Sequence, residues 1–155
     1  MYICAMKLED AIKTTKFKNN SQKAALNILY SAWWYRSQIA GVLKPYGLTP
    51  EQFNVLRILR GKQPDLMCVK DIASRLIEKS SNVPRIIDRL ETKKLIRRIR
   101  SEEDARQTMI QLTKAGEVIL AEASKEVDTK ESALISLPED EASLLNNLLE
   151  KMRAK

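Results

Sequence analysis

The stretch EKSSNVPRIIDRLETKK, residues 78–94, decides how the chain around it folds. Apolar residues follow Val83 at i+3, i+4 and i+7, the spacing of an amphipathic helix on a core. Pro84 lies within the same stretch, and a proline in a helix interior removes a backbone donor and clashes with the preceding turn. We therefore predict a helix capped by residues 79–81, with Pro84 at about the third or fourth helical position, where its missing N–H has little or no partner to lose.

The outward face of this predicted helix is polar and basic. At about 100° per residue, the side opposite the apolar positions presents a set of polar and charged side chains. They are Ser81, Arg85, Asp88 and Thr92, flanked by Asn82 and Arg89. Such a face suits a partner of opposite charge. The simpler alternative is that Arg85 and Arg89 are ordinary surface arginines paired with Asp88 or Glu91.

The segments on either side predict further helices and a hairpin. In LTPEQFNVLRILRG, residues 48–61, Thr49 and Gln52 form a capping box, Pro50 suits the first helical position and Gly61 closes the segment. The remaining segments are a connector at 62–68, a short helix at 69–79, and alternating strands LIRRIR at 95–100 and QTMIQL at 107–112, joined by the polar SEEDA at 101–105.

Three helices followed by a hairpin describe a winged helix-turn-helix. A long helix precedes it at 21–44, and two more helices follow, beginning near Thr113 and Pro138. The long helix has an apolar stripe at helical spacing, formed by Leu26, Leu29, Trp33, Ala40 and Leu43. In the helix-turn-helix pair, the second helix is the one predicted within residues 78–94. Such a helix fits a major groove, where arginine can bind guanine and asparagine can bind adenine.

Charge is segregated along the chain. The net charge is +7, and residues 70–100 contain ten basic and four acidic side chains, a local net charge of +6. From residue 113 to the C-terminus the balance reverses to −3. This segregation indicates a surface that faces a polyanion, whereas the alternative is an accidental solvated basic face.

Composition argues against several other classes of protein. With 4 Gly and 5 Pro in 155 residues, a sandwich or barrel of many turns is disfavoured. The chain has no histidine, no glycine-rich phosphate loop and only Cys4 and Cys68, so we expect no metal site, no cofactor and no catalytic residues. No run approaches the roughly 18 apolar residues of a membrane span, and we expect a cytoplasmic protein.

Four blocks of the sequence resemble the MarR family of bacterial transcriptional regulators. They are LTPEQFNVLRIL, VKDIASRL, SSNVPRIIDRLETKKLI and SEEDARQTMIQLTKAG. The most specific piece is Asp104, Ala105 and Arg106 followed by IQLTKAG, which is similar to the family's wing signature. The resemblance covers residues 21–152 in order and spacing as well as in motif.

The resemblance implies a mainly α fold with a small β wing and a role as a DNA-binding transcriptional regulator, a repressor acting as a homodimer on a pseudo-palindromic operator. The implied organisation is an N-terminal arm at 1–20, a dimerisation helix at 21–47, a winged helix-turn-helix domain at 48–112 and C-terminal dimerisation helices at 113–155. Within the domain, the recognition helix is expected at about 80–93 and the wing at about 95–112.

The family's functional residues correspond to positions in this sequence. Ser80, Ser81, Asn82 and Arg85 match positions where the recognition helix meets bases and phosphates, and Arg89 is a further DNA-binding candidate or a brace for the wing through Asp104. Arg106 matches the arginine that enters the minor groove, and Asp104 the acid that holds the wing. This sequence departs from the family's pattern at two places. Pro84 stands where relatives often have a small polar residue, and Gln107 and Thr108 stand where many relatives have arginines.

Three alternatives remain open at the level of sequence. Trp33, Trp34 and Arg36 border the space where relatives bind small aromatic or phenolic effectors, although core packing is the simpler explanation for Trp33, which shares the apolar face of its helix. Cys4 and Cys68 allow a redox sensor, which needs a thiol of lowered pKa. The rival function is a helical protein-interaction module that uses its basic face on an acidic protein.

Overall fold

Most of the chain is helical, and a small sheet packs beside the central helices. The computed structural model describes residues 6–78, 82–101 and 107–154. The helices are α1 (Leu8–Ile12), α2 (Asn20–Leu43), α3 (Pro50–Lys62), α4 (Val69–Arg75), α5 (Val83–Thr92), α6 (Lys114–Leu134) and α7 (Glu139–Arg153), with a 3₁₀ turn at Lys44–Tyr46. The strands are β1 (Met67–Cys68), β2 (Ile96–Arg100) and β3 (Thr108–Leu112). The predicted fold class, mainly α with a small β wing, is confirmed.

The three strands form one antiparallel sheet in the order β1-β3-β2. Ile110 in the central strand pairs with Met67 on one side and with Arg98 on the other. The alternating segments predicted both strands of the hairpin. Strand β1 was missed and assigned to a connector, because two residues are too few to show an alternating pattern.

The caps of α3 and α6 follow the sequence signals. Thr49 Oγ1 accepts a hydrogen bond from the Gln52 amide at 3.3 Å, and Gln52 Oε1 accepts one from the Thr49 amide at 3.2 Å, which completes the predicted capping box. Thr113 Oγ1 likewise accepts from the amide of Gly116. The prediction that Gly61 ends α3 is wrong: the helix continues to Lys62 and stops before Pro64, since the residue preceding a proline is disfavoured in helical conformation.

Helix α5 begins slightly later than the sequence predicted. Its first residue is Val83, its N-cap is Asn82, and Pro84 is the second helical residue. Pro84 therefore lies in the first turn, as expected, where no intrahelical hydrogen bond is lost. The expected cap at 79–81 is replaced by Asn82, and residues 79–81 lie outside the described part of the chain.

The core lies where α2, α3, α5, α6 and the sheet meet. Its fully buried side chains include Leu43, Leu56, Ile87, Leu90 and Leu120. This core covers only the C-terminal part of the inner face of α2. Leu29 and Trp33, which share the predicted apolar stripe of that helix, are 67% and 63% exposed.

The N-terminal arm expected at 1–20 contains a short helix. Leu8 at its start is buried, and Glu9 forms an ion pair with Lys23 of α2 at 2.5 Å. The hydrogen bond from the Lys23 ammonium is the main reason that the pKa of the Glu9 carboxyl lies below its usual value. These contacts tie α1 to the long helix that follows it.

Candidate nucleic-acid interface

Helix α5 turns a basic face outward. Val83, Ile87 and Leu90 are buried in the core, whereas Arg85 and Arg89 are exposed on the opposite side. Neither arginine forms an ion pair with any described residue. The sequence alternative, in which they pair with Asp88 or Glu91, is therefore not what the structure has.

Those two carboxylates are instead engaged by Arg98 of strand β2. Its guanidinium lies 2.5 Å from Asp88 and also forms an ion pair with Glu91. The Arg98 backbone N–H donates to Glu91 at 3.3 Å. The hydrogen bond to Asp88 is the largest cause that raises the pKa of Arg98 above its usual value. Arg98 thus holds the first wing strand against α5 and leaves the positive charge of Arg85 and Arg89 without an ion pair to any described residue.

A second nonlocal contact fixes the C-terminal end of α5. The ammonium of Lys93 donates to Gln52 Oε1 at 3.0 Å and to the carbonyl oxygen of Gly47. Gln52 is a buried polar residue, 3% exposed, and its oxygen also caps the start of α3. Sequence reasoning identified the cap but missed the lysine, because the two residues are 41 positions apart.

The wing itself is described in part. Arg97 and Arg100 are exposed on β2, and Arg97 donates to Gln111 of β3 at 2.6 Å. Asp104 and Arg106 lie outside the described residues, as do Ser80 and Ser81. Their roles in DNA binding therefore stay predictions.

A cleft of about 720 Å³ opens between α2, α3 and the start of α5. Of the three residues expected at a ligand site, Arg36 lines this cleft, whereas Trp33 and Trp34 do not. Tyr35, which lies between Trp34 and Arg36 in sequence, lines it as well. The apolar part of the wall consists of Ile39, Phe53, Leu76, Ile77, Ile86 and Val127.

The charged groups of the cleft are unevenly paired. Arg36 forms ion pairs with Glu51 and Glu78, and the Tyr35 hydroxyl donates to Glu131. Burial, together with this carboxylate, raises the pKa of Tyr35 to about 12. Arg57, which lies over the Phe53 ring, and Arg89 also line the cleft, and neither is ion-paired to a described residue. Within the described part of the chain, two guanidinium groups without an ion pair therefore border an apolar wall.

Other kinds of site find no support in the described ranges. Among these residues there is no group of side chains that could hold a metal ion. None of the helices within them is both long and apolar enough to cross a membrane. Cys68 is a buried free thiol, and Cys4 lies outside the described part.

Comparison with known proteins agrees with this geometry. The family described as "Transcriptional regulator SarA/Rot" matches residues 38–123, more than half of the chain. The regulator MgrA of Staphylococcus aureus, described as an HTH-type transcriptional regulator, is 40% identical over 111 residues, which are 72% of this chain and 74% of MgrA.

Two solved structures show the same fold. The Staphylococcus aureus MepR–DNA complex has a TM-score of 0.74 and 27% identity, covering 88% of this chain and 97% of MepR. CouR from Rhodococcus jostii RHA1, solved with p-coumaroyl-CoA bound, has a TM-score of 0.73 and 19% identity, covering 88% of this chain and 95% of CouR. The family consists of transcriptional regulators rather than enzymes. The chain belongs to the SarA/Rot family of transcriptional regulators and has the winged helix-turn-helix fold of MarR-type proteins.

Proposed function

We propose that this regulator is a homodimeric repressor that binds a pseudo-palindromic operator through α5 and the wing. The observation on which the proposal depends is the ionic arrangement of α5: Arg98 neutralises Asp88 and Glu91, while Arg85 and Arg89 stay exposed and unpaired with described residues. A protein of the same fold, MepR, was solved in complex with DNA. Binding to DNA would bring the regulator to the nucleoid of the cytoplasm.

The proposed contacts follow from the orientation of α5. Its N-terminal end begins at Asn82 and presents Arg85 one turn later, and the ends of recognition helices in this motif contact base edges. Asn82 would then meet adenine and Arg85 guanine, with Ser80 and Ser81 on phosphates or bases. Arg89 would contact backbone phosphate. Arg106 would enter the minor groove, in a wing that Asp104 steadies.

The dimer is proposed from the apolar surfaces that one chain leaves uncovered. Helix α7 buries no side chain against the described part of its own chain. Leu144, Leu145, Leu148 and Met152, which lie on one side of it, are between 44% and 58% exposed. Leu29 and Trp33 of α2 are also exposed. Exposed apolar stripes on two long helices indicate burial against a partner, and a second copy of the chain provides matching stripes.

Binding to duplex DNA is expected to weaken steeply as salt is added. Each neutralised phosphate releases a counterion, so contacts to six or more phosphates would lower affinity by about 10³-fold or more between 50 and 200 mM salt. Bound fragments are selected from random duplexes, which measures specificity and palindromy. Titration of the selected operator at several salt concentrations then gives the slope of log affinity against log salt concentration. A flat salt dependence, or selected sequences without a repeated half-site, would favour the rival protein-interaction module.

Relief of binding by an effector is proposed for the cleft. Its apolar wall and the unpaired guanidinium groups of Arg57 and Arg89 suit a small aromatic or phenolic acid. CouR, which shares the fold, was solved with p-coumaroyl-CoA. Benzoate and 4-hydroxybenzoate are suitable first probes.

We expect millimolar benzoate or 4-hydroxybenzoate to release the operator, because about 0.3–0.4 kcal/mol per non-hydrogen atom over about ten atoms corresponds to a millimolar dissociation constant. Arg57→Gln should remove the response without affecting DNA binding in the absence of the acid. Arg60→Gln, on the same helix but outside the cleft, is the matched control and should respond like the parent. Equal release of the parent and Arg57→Gln would place the effector elsewhere.

A further inference from the structure

The guanidinium of Arg36 joins three separate parts of the chain. Arg36 lies in α2, and its two terminal nitrogens form ion pairs with Glu51 and Glu78. Glu51 belongs to the first turn of α3. Glu78 lies between the end of α4 and the start of α5, in the segment that leads into the recognition helix. One side chain therefore links the long N-terminal helix both to α3 and to the segment that leads into α5.

The described residues just before Glu78 differ in burial. Leu76 is buried at the end of α4, but the neighbouring Ile77 is 93% exposed. Arg36 is the partner that the structure gives the Glu78 carboxylate among the described residues. The next described residue that is buried in the core is Val83, the first residue of α5. Among the described residues, Arg36 accordingly provides an ionic contact between α2 and the approach to the recognition helix.

We propose that Arg36 is a positioning residue for operator binding, which sets the orientation of α5 relative to α2. The inference rests on the proposed function, in which α2 contributes to the dimer interface and two copies of α5 occupy successive major grooves. In such a dimer the orientation of α5 relative to α2 determines the distance between the two recognition helices. That distance must match one turn of DNA, roughly 10 base pairs.

A positioning role differs from a role in folding. All three side chains are partly solvent-exposed, and exposed ion pairs contribute little to folding stability. Loss of Arg36 should therefore leave the melting temperature and the dimer nearly unchanged. The core contacts of α5 through Val83, Ile87 and Leu90 remain, so the helix stays folded while its orientation becomes less restricted.

The experiment measures affinity for a series of operators whose half-sites are moved apart or together by one and two base pairs. The parent protein should prefer one spacing. Arg36→Gln should lose about three- to tenfold in affinity at that spacing and much less at the others, so that the preference flattens. Arg60→Gln, an exposed arginine of α3 with no ion pair to a described residue, should keep the parental preference.

Glu78→Gln provides an independent variant that breaks the contact from the other side. It removes a negative charge, so electrostatics alone would raise affinity equally at every spacing, whereas the positioning role requires that the preference flatten again. The salt dependence separates positioning from phosphate contact: the slope of log affinity against log salt should stay parental in Arg36→Gln, because a lost phosphate contact would reduce it by about 0.9.

The outcomes distinguish a failure of the proposed dimer from a failure of the positioning role of Arg36. A parent protein without any preferred spacing would overturn the proposed dimer on paired half-sites. A parent with a preferred spacing that both Arg36→Gln and Glu78→Gln retain would overturn the role of Arg36 alone. A reduced salt slope in Arg36→Gln would make Arg36 a phosphate contact instead.

Discussion

Replacing Gly116 by alanine is expected to destabilise the protein by about 3 kcal/mol, which for a chain of this length lowers the melting temperature by about 10 °C. A Cβ at this position would lie 2.1 Å from the carbonyl oxygen of Leu95, 2.9 Å from a Leu112 methyl carbon and 3.1 Å from the Leu95 carbonyl carbon. Two of these are backbone atoms, which cannot rotate away as a flexible side chain can.

The surrounding hydrogen bonds restrict any adjustment. The Leu95 carbonyl accepts from the Thr113 amide at 3.0 Å, and Thr113 Oγ1 donates to the Lys94 carbonyl at 2.8 Å. The Gly116 amide donates to the same Thr113 hydroxyl at 3.1 Å. A shift of α6 that relieved the clash would break these contacts, and they attach α6 to the segment between α5 and the wing.

Chemical denaturation of Gly116→Ala and of Gly61→Ala tests this prediction with a matched pair. Gly61 is also helical, but nothing lies within 4 Å of an added Cβ. Alanine at position 61 should stabilise the protein by about 0.5–1 kcal/mol, which is the difference in helix propensity between alanine and glycine. If Gly116→Ala lowers the free energy of unfolding by less than about 1 kcal/mol, the start of α6 can move and the close packing does not restrict it.

Local sequence signals predicted those helices and strands whose caps and apolar patterns involve residues only a few positions apart. Thr49, Pro50 and Gln52 placed the start of α3 because a capping box involves residues three apart. The apolar spacing after Val83 predicted which side of α5 is buried, and the structure agrees. The fold class followed from the order of these elements, since short connections leave few arrangements for three helices and a hairpin.

The contacts that shape the interface could not be predicted in the same way. The ion pairs of Arg98 with Asp88 and Glu91, and of Arg36 with Glu51 and Glu78, join different segments of the chain. The periodicity of one segment contains no information about its ionic partners in another. Charge counting did indicate a basic region. It could not show that Arg98 neutralises the acids of α5, which leaves Arg85 and Arg89 without an ionic partner among the described residues.

The exposure of Trp33 shows a second property that periodicity does not predict. Periodicity assigned it to an apolar stripe on α2, which is correct, but a stripe does not specify whether the same chain or a second chain covers it. The core of one chain buries Ile39 and Leu43 and leaves Leu29 and Trp33 exposed. The uncovered part of α2 and the apolar side of α7 are therefore assigned together to the proposed dimer.

Introducing two glutamates on the apolar side of α7, as Leu145→Glu with Leu148→Glu, is expected to produce monomers and to lower operator affinity by about a hundredfold or more. Full burial of a leucine contributes roughly 1.5–3 kcal/mol, and a two-fold interface buries each position twice. Burying a carboxylate in its place without a partner adds a further cost. A monomer then binds one half-site without the effective concentration that the second recognition helix provides.

The matched control adds the same two charges to the opposite side of the helix, as Ser143→Glu with Asn146→Glu, both at exposed positions. Equilibrium sedimentation should give a dimer for the parent and the control, and a monomer for the leucine variant. Operator titration should show the loss only in the leucine variant, because repulsion between the added charge and DNA is the same in both. Since α7 packs little against its own chain, the monomer should stay folded, which circular dichroism can verify. A leucine variant that remains dimeric would exclude α7 from the interface and leave its exposed apolar side to a different partner.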